Sequence, residues 1–168
     1  MFSVIFPGQG SQSVGMTKEL YDNFAYVKDL FKQADDELGY SISKIILEGP
    51  KEELDLTENT QPAIFLASYS IFEVIKKESN INLKDAKFFA GHSLGEYSAL
   101  AASGSLDFKD AIKLLNQRGK AMQTAVPKGA GGMLAVLGSE IQEIKNLLEQ
   151  NKNDYECFIA NDNSNGQI

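Results

Sequence analysis

The pentapeptide Gly91-His92-Ser93-Leu94-Gly95 constrains the fold of this chain more than any other feature. It follows a short apolar run, 86–90, that is typical of a buried strand, and it precedes an alanine-rich run, 94–103, that is typical of a helix. A serine on such a sharp strand-to-helix turn holds its Oγ exposed above the sheet. We therefore predict that Ser93 is a nucleophile and that the Leu94 N–H points to where an oxyanion would form.

Strands and helices alternate along the first part of the chain, which predicts an α/β fold with a parallel sheet. Phe2–Phe6 is continuously apolar, as expected of a parallel strand that is covered on both faces. Helices are expected over the apolar stripe from Phe24 to Leu38 and from Gln61-Pro62 onward. A further helix is expected from Phe108 to about Ala125, capped by Asp107.

The composition changes after Pro127 to Gly129-Ala130-Gly131-Gly132, which predicts a boundary between residues 1–126 and 127–168. In the second part, strands at 133–137 and 155–160 are expected to flank a helix whose capping box is Ser139 with Gln142. Two strands and one helix are too few for a complete subdomain. We interpret the chain as the N-terminal portion of a longer protein.

Composition excludes several function classes. No apolar stretch reaches the roughly eighteen residues that a membrane span needs, and the N-terminus lacks the basic flank of a signal peptide. The single cysteine, Cys157, fits a reducing compartment, so we expect a cytoplasmic protein. The net charge of −7 argues against non-specific nucleic-acid binding. Ser13 breaks the G-x-G-x-x-G pattern, and no metal or cofactor is expected.

Arg118 is charged but lies on the apolar face of its predicted helix. At about 100° per residue, it falls in one stripe with Ala111, Leu115 and Met122. A charge on an inward face is unfavourable unless it is paired. Two interpretations stay open: the side chain reaches the helix edge or pairs with an internal carboxylate, or the guanidinium binds an anionic group of a substrate.

A serine nucleophile needs a general base, and the sequence has one histidine, His92, directly beside Ser93. Neighbouring residues on a tight turn direct their side chains apart, so we interpret His92 as a structural histidine. The sequence supplies a nucleophile and half of an oxyanion hole, but no histidine partner.

Four motifs occur in the order seen in one enzyme family. They are Phe6-Pro7-Gly8-Gln9-Gly10-Ser11-Gln12, Thr60-Gln61-Pro62-Ala63, Gly91-His92-Ser93-Leu94-Gly95-Glu96-Tyr97-Ser98-Ala99-Leu100 and Gln117-Arg118-Gly119. Through them the whole chain resembles the malonyl-CoA:acyl carrier protein transacylases. The resemblance implies an incomplete α/β-hydrolase-like large subdomain, with an inserted and incomplete ferredoxin-like small subdomain that begins near Pro127.

The resemblance also implies roles for individual residues. Ser93 matches the serine that accepts the malonyl group, and Gln9 and Leu94 match the backbone donors of the oxyanion hole. Arg118 matches the arginine that binds the malonyl carboxylate, and Gln61 is expected to support it. Asn163 and Gln167 resemble residues of a polar loop that lines the cleft, although Asn165 replaces the usual proline of that loop.

The implied reaction passes a malonyl group from malonyl-CoA to the phosphopantetheine thiol of acyl carrier protein, in the service of fatty-acid synthesis. The catalytic histidine is expected beyond residue 168, so the chain alone is expected to be inactive, and the full-length protein is expected to be a monomer. Two alternatives remain: a generic serine esterase, or a non-catalytic fragment that binds carrier protein or CoA.

Overall fold

The computed structural model describes residues 2–126, 129–153 and 156–168. The chain forms two compact units, one over residues 1–127 and one over 128–168. Pro127, where the sequence analysis sets the boundary, lies outside the described residues. No helix in the described ranges is long and apolar enough to cross a membrane.

The first unit contains a parallel pair of strands, as predicted. Strand β1 (Phe2–Phe6) pairs with strand β2 (Ala86–Gly91) in a parallel register, with Phe6 opposite Gly91. The expectation that both faces are covered is wrong for this chain, because Ile5 is 79% exposed and Phe88 is 61% exposed. Within the described residues, two strands do not extend far enough to bury these side chains.

Helices make up most of the first unit. In chain order they are α1 (Lys18–Asn23), α2 (Ala25–Leu38), α3 (Ile42–Glu48), α4 (Lys51–Leu54), α5 (Thr57–Glu78), a short 3-10 helix (Leu83–Asp85), α6 (Gly95–Ala102) and α7 (Phe108–Ala125). The predicted cap of α7 is confirmed, because Asp107 Oδ1 accepts a hydrogen bond from Lys109 N at 2.8 Å. Helix α2 ends where Gly39 adopts a left-handed conformation, φ 75°.

The core is built around α5, which is buried along most of its length. Phe65 stacks on Tyr69, with ring centroids 5.8 Å apart, and contacts Phe108 of α7 at 5.6 Å. A helix this widely buried is apolar on several faces, which explains its weak amphipathic pattern. Further fully buried side chains come from α2, α3, α4, α6 and α7; they include Val27, Phe31, Ile42, Ile46, Leu54, Ile112 and Leu115.

Helix α5 begins four residues earlier than the sequence analysis predicts. The apolar stripe predicts a helix that begins around Gln61-Pro62. In the structure the helix starts at Thr57, and Pro62 lies inside it. A proline has no N–H to donate, so the Glu58 carbonyl four residues earlier receives no hydrogen bond from within the helix.

An apolar groove of about 850 Å³ runs beside β1. One wall is β1 itself, and another is the face of α5 that carries Ile71, Phe72 and Ile75. Ile71 and Ile75 are partly exposed here, at 43% and 37%. The groove and the exposed strand faces give the first unit an apolar surface next to its sheet.

In the second unit, residues 129–153 and 156–168 as described include the predicted helix, α8 (Ile141–Gln150). Its capping box is formed by Glu140 and Glu143 rather than by Ser139 and Gln142, which shifts the helix start by one residue. The predicted strand at 133–137 is irregular apart from an isolated bridge between Leu137 and Gln167. Residues 156–160 are also irregular, and Tyr155 lies outside the described residues.

Candidate active site

Ser93 stands at the apex of the turn between β2 and α6. Its backbone is in the left-handed region, φ 53°, which is unusual for a residue other than glycine, and its side chain is exposed. A Cβ on Gly91 would lie 1.9 Å from the Gly95 carbonyl, and a Cβ on Gly95 would lie 2.6 Å from Phe6 O. Only glycine fits at these two positions, and this tight fit holds Ser93 in its strained, exposed conformation.

The two predicted oxyanion donors border this turn. Leu94 follows Ser93, and its side chain is fully buried, which anchors the start of α6. Gln9 lies in the loop after β1, next to Gly8, where a Cβ would stand 2.9 Å from His92 O. In the part of the chain that the structure describes, neither the Gln9 N–H nor the Leu94 N–H donates a hydrogen bond. Gln9 is exposed, whereas Leu94 is fully buried, so the role of this pair as oxyanion donors stays a prediction.

Side chains fix the shape of the loop that carries Gln9. Gly10 N donates to Gln12 Oε1 at 2.9 Å, and Gln12 Nε2 donates to Asp55 Oδ1 at 2.9 Å. The bond from Gln12, together with Lys51, keeps the pKa of the Asp55 carboxyl below its usual range. Gln9 Nε2 itself lies 3.5 Å from Thr57 Oγ1 at the start of α5. The loop is thus tied to the helices on one side and lies against the turn on the other.

Arg118 reaches the same place from α7. Its Nη2 donates to Ser93 Oγ at 3.2 Å, and its Nη1 donates to Gln61 Oε1 at 2.6 Å. Gln61 is fully buried. Arg118 forms no ion pair with any of the described carboxylates. Among these described residues, the internal carboxylate pair considered above does not form, and the cation beside the serine has no neutralising partner there.

Two residues of α7 explain how this helix comes so close to α5. The Glu58 carbonyl, left without a helical donor by Pro62, accepts a hydrogen bond from Asn116 Nδ2 at 3.0 Å. One turn further on, a Cβ on Gly119 would lie 2.5 Å from both Glu58 Cα and Thr57 O. Pro62 leaves the Glu58 carbonyl available to Asn116, and Gly119 has no side chain. Together these residues allow the backbones of α5 and α7 to come into contact beside Arg118.

A buried polar network, not singled out by the sequence analysis, supports this contact. Asn116 Nδ2 also donates to Tyr40 Oη at 3.1 Å, and Tyr40 Oη donates to Asn59 Oδ1 at 2.9 Å. Asn59 Nδ2 in turn donates to Glu53 O at 2.9 Å. Burial raises the pKa of Tyr40 from 10.0 to about 12. Asn59 of α5 and Asn116 of α7 carry no sequence signal that distinguishes them from exposed polar residues.

His92 is exposed, and within the described residues its ring forms no hydrogen bond with Ser93. Its backbone N–H donates to Phe6 O at 3.1 Å and continues the ladder between β1 and β2. Its ring carbon Cδ2 lies against Gly8. This placement agrees with the interpretation of His92 as a structural residue.

Asn163 and Gln167 belong to the second unit. Asn163 N donates to Gln167 O at 3.0 Å, and Ser164 forms a bridge with Gln167 across a turn at Gly166, φ 77°. Both side chains are exposed. The structure defines their turn, and their part in a cleft stays a prediction. No group of three or more potential ligands for a metal ion occurs among the described side chains.

Comparison with known proteins decides the family. Residues 3–164 match the family model described as "Acyl transferase domain". The chain belongs to this acyl transferase family. The malonyl CoA-acyl carrier protein transacylase of Haemophilus influenzae is 48% identical to it over 167 residues, covering 99% of this chain and 53% of the relative. The enzyme of the same name from Bacillus subtilis is 46% identical over 165 residues, covering 98% and 51%.

Solved structures agree with this assignment to the acyl transferases. One, described as a type II PKS acyl-carrier protein in complex with its malonyl-transacylase, is 42% identical with a TM-score of 0.89. The transacylase of Coxiella burnetii is 40% identical, also with a TM-score of 0.89. This acyl transferase chain covers 53% and 52% of those two chains, so it spans about half the length of the proteins it matches.

Proposed function

We propose that this acyl transferase moves a malonyl group from malonyl-CoA to the phosphopantetheine thiol of acyl carrier protein, through a malonyl ester on Ser93. The observation that carries the proposal is the position of Arg118. Its guanidinium lies within hydrogen-bond distance of the strained, exposed serine and has no acidic partner among the described residues. A cation beside a nucleophile favours an acyl group that ends in a carboxylate.

In the first half-reaction, Ser93 Oγ attacks the thioester carbonyl carbon of malonyl-CoA. The carbonyl oxygen becomes negatively charged, and we assign its stabilisation to the N–H groups of Gln9 and Leu94, which donate no hydrogen bond within the described residues. The tetrahedral intermediate collapses, the C–S bond breaks, and CoA leaves as the thiol with the proton that the general base took from Ser93 Oγ, which gives the malonyl ester. In the second half-reaction, the phosphopantetheine thiol gives its proton to the base and its sulfur attacks the ester; the new C–S bond forms, the C–O bond to Ser93 Oγ breaks, and Ser93 recovers the proton while malonyl-carrier protein leaves.

Arg118 selects and orients the acyl group. The malonyl carboxylate replaces Ser93 Oγ as the acceptor of the Nη2 hydrogen, and it forms a charge-assisted bond that an acetyl group cannot form. Gln61 holds the other side of the guanidinium through Nη1, which leaves Nη2 directed at the serine. We assign Gln61 a positioning role, and Asn163 and Gln167 a place in the polar lining of the cleft.

The general base is the histidine that the family resemblance places outside these 168 residues. This assignment is supported by His92, the one histidine of the sequence, because its ring forms no hydrogen bond with Ser93 in the described part of the chain. We further propose that the first unit is part of an α/β-hydrolase-like subdomain and that the second begins a ferredoxin-like subdomain. The parallel strands, the serine turn and the apolar groove beside β1 support the first of these assignments.

We also propose that the enzyme is monomeric and cytoplasmic and that it does not bind nucleic acid. The net charge of −7 supports the last point, because nucleic-acid binding needs clustered positive charge.

The test uses the native gene product that contains these residues, malonyl-CoA and a carrier protein that bears phosphopantetheine. We expect malonyl-carrier protein as the product, little free malonate, and slow use of acetyl-CoA. Equal use of both thioesters with release of free acid would instead indicate an esterase. Thioester binding without transfer would indicate a non-catalytic binding domain.

A further inference from the structure

Gln61, which holds Arg118, is itself held at its other end by a methionine. The Gln61 side chain is fully buried between α5 and α7. Its Oε1 accepts from Arg118 Nη1 at 2.6 Å, and its Nε2 donates to Met122 Sδ at 3.3 Å. Both partners belong to α7, four residues apart, so they lie one above the other on the same face of the helix.

The two ends of a glutamine amide are chemically different, and this difference gives the methionine a role. Oε1 accepts hydrogen bonds, whereas the Nε2 hydrogens only donate. If the amide of Gln61 turned over, its N–H hydrogens would face those of Arg118, and its carbonyl oxygen would face the lone pairs of the thioether. The sulfur of Met122, a weak acceptor, therefore favours the one orientation in which Arg118 is held.

Burial alone does not explain why a methionine occupies position 122, because 45% of its surface is exposed. A leucine would fill a similar volume, but it would leave the buried Nε2 without an acceptor among the described residues. An unsatisfied buried donor is unfavourable, and a turn of the amide toward another acceptor would relieve it. That turn would withdraw Oε1 from the guanidinium.

We propose that Met122 is a positioning residue for recognition of the substrate carboxylate: its sulfur orients the Gln61 amide, and the amide orients Arg118. This inference rests on the proposed function, in which Arg118 binds the malonyl carboxylate. If this proposal is correct, Met122 affects the binding of acyl groups that carry a negative charge and does not affect the binding of uncharged acyl groups.

The test measures the dissociation constants of malonyl-CoA and acetyl-CoA by calorimetry. It uses the native gene product with Ser93→Ala, so that neither thioester is consumed. In this background, Met122→Leu should weaken malonyl-CoA binding about fivefold, the equivalent of one neutral hydrogen bond, and leave acetyl-CoA binding unchanged. Met122→Gln supplies an oxygen acceptor at the same place and should restore malonyl-CoA affinity to within about twofold.

Leu114→Gln is the matched control, because Leu114 is 43% exposed on the same helix and has no polar contact with the site. It should change neither constant. The role of Met122 is excluded if Met122→Leu leaves malonyl-CoA binding intact, or if it weakens both thioesters equally. A Ser93→Ala protein that does not prefer malonyl-CoA over acetyl-CoA contradicts the proposed function itself, and the role of Met122 with it.

Discussion

Arg118 Nη2 donates a hydrogen bond to Ser93 Oγ at 3.2 Å, which joins two residues that are 25 positions apart in the chain. Ser93 is held at the apex of a turn by local sterics, since Gly91 and Gly95 admit no side chain. Arg118 is brought there by tertiary packing of α7 on α5. Ser93, the proposed nucleophile, and Arg118 are therefore positioned independently of each other.

The first prediction concerns the charge of Arg118. Arg118→Ala should lower kcat/KM for malonyl-CoA about a hundredfold, because a charge-assisted contact to the substrate carboxylate is lost. Acetyl-CoA has no such contact, so its use should not fall in parallel. Steady-state kinetics of the native gene product with both thioesters measure the ratio. Lys120→Ala, an exposed lysine on the same helix, is the control; an unchanged malonyl preference in Arg118→Ala would count against carboxylate binding.

The second prediction concerns the close approach of α7 to α5. A Cβ on Gly119 would lie 2.5 Å from Glu58 Cα, so Gly119→Ala should force the helices apart and destabilise the protein by about 1–3 kcal/mol. It should also weaken malonyl-CoA binding, because Arg118 moves with α7. Gly132→Ala is the matched control, since nothing lies within 4 Å of its Cβ position. Urea unfolding measures both variants, and equal stabilities would contradict the packing account.

The third prediction concerns pH and Tyr40. Burial, followed by the charges of Glu58 and Asp35, raises the pKa of Tyr40 from 10.0 to about 12 in the folded state. The folded protein therefore holds this proton more tightly than the unfolded chain does. The stability that Tyr40 contributes is fully present below pH 10, and it is lost as the pH rises from there through about 12.

Tyr40→Phe removes this titration, so the free energy of unfolding should fall less steeply between these two pH values than in the parent protein. At neutral pH the variant should be less stable by about 1 kcal/mol, because Asn116 and Asn59 each lose a partner. Other tyrosines titrate in both proteins, so the comparison isolates Tyr40. Parallel pH dependences would show that its hydroxyl does not titrate as described.

The fourth prediction separates His92 from catalysis. His92→Asn should keep most of the transferase activity, because this side chain is exposed and forms no bond with Ser93. Ser93→Ala should lose acyl-enzyme formation completely. Initial rates and intact mass spectra of the two variants make the comparison. Equal losses would mean that His92 is the base after all.

Sequence alone predicted the features that local sterics determine. Gly91 and Gly95 are required by the turn itself, so the strand, the serine turn and the start of α6 could be predicted from the pentapeptide and the two runs that flank it. Arg118 could be noticed because it interrupts an apolar stripe. The start of α5 could not be placed, because the fate of the Glu58 carbonyl depends on Asn116, 58 positions away. The strand predicted at 133–137, and residues 156–160 of the strand predicted at 155–160, are irregular for a related reason, since an apolar run shows that a strand can form but not that a partner is present.

The most direct test of the account is to locate the acyl group. The native gene product is mixed briefly with isotope-labelled malonyl-CoA, quenched in acid and digested, and the labelled peptide is sequenced by mass spectrometry; Arg118→Ala and labelled acetyl-CoA are run in parallel. We predict that the malonyl label lies on Ser93, that Arg118→Ala sharply reduces it, and that acetyl labelling is weak in the parent protein. Malonyl label on another residue, or undiminished label in Arg118→Ala, would contradict the account.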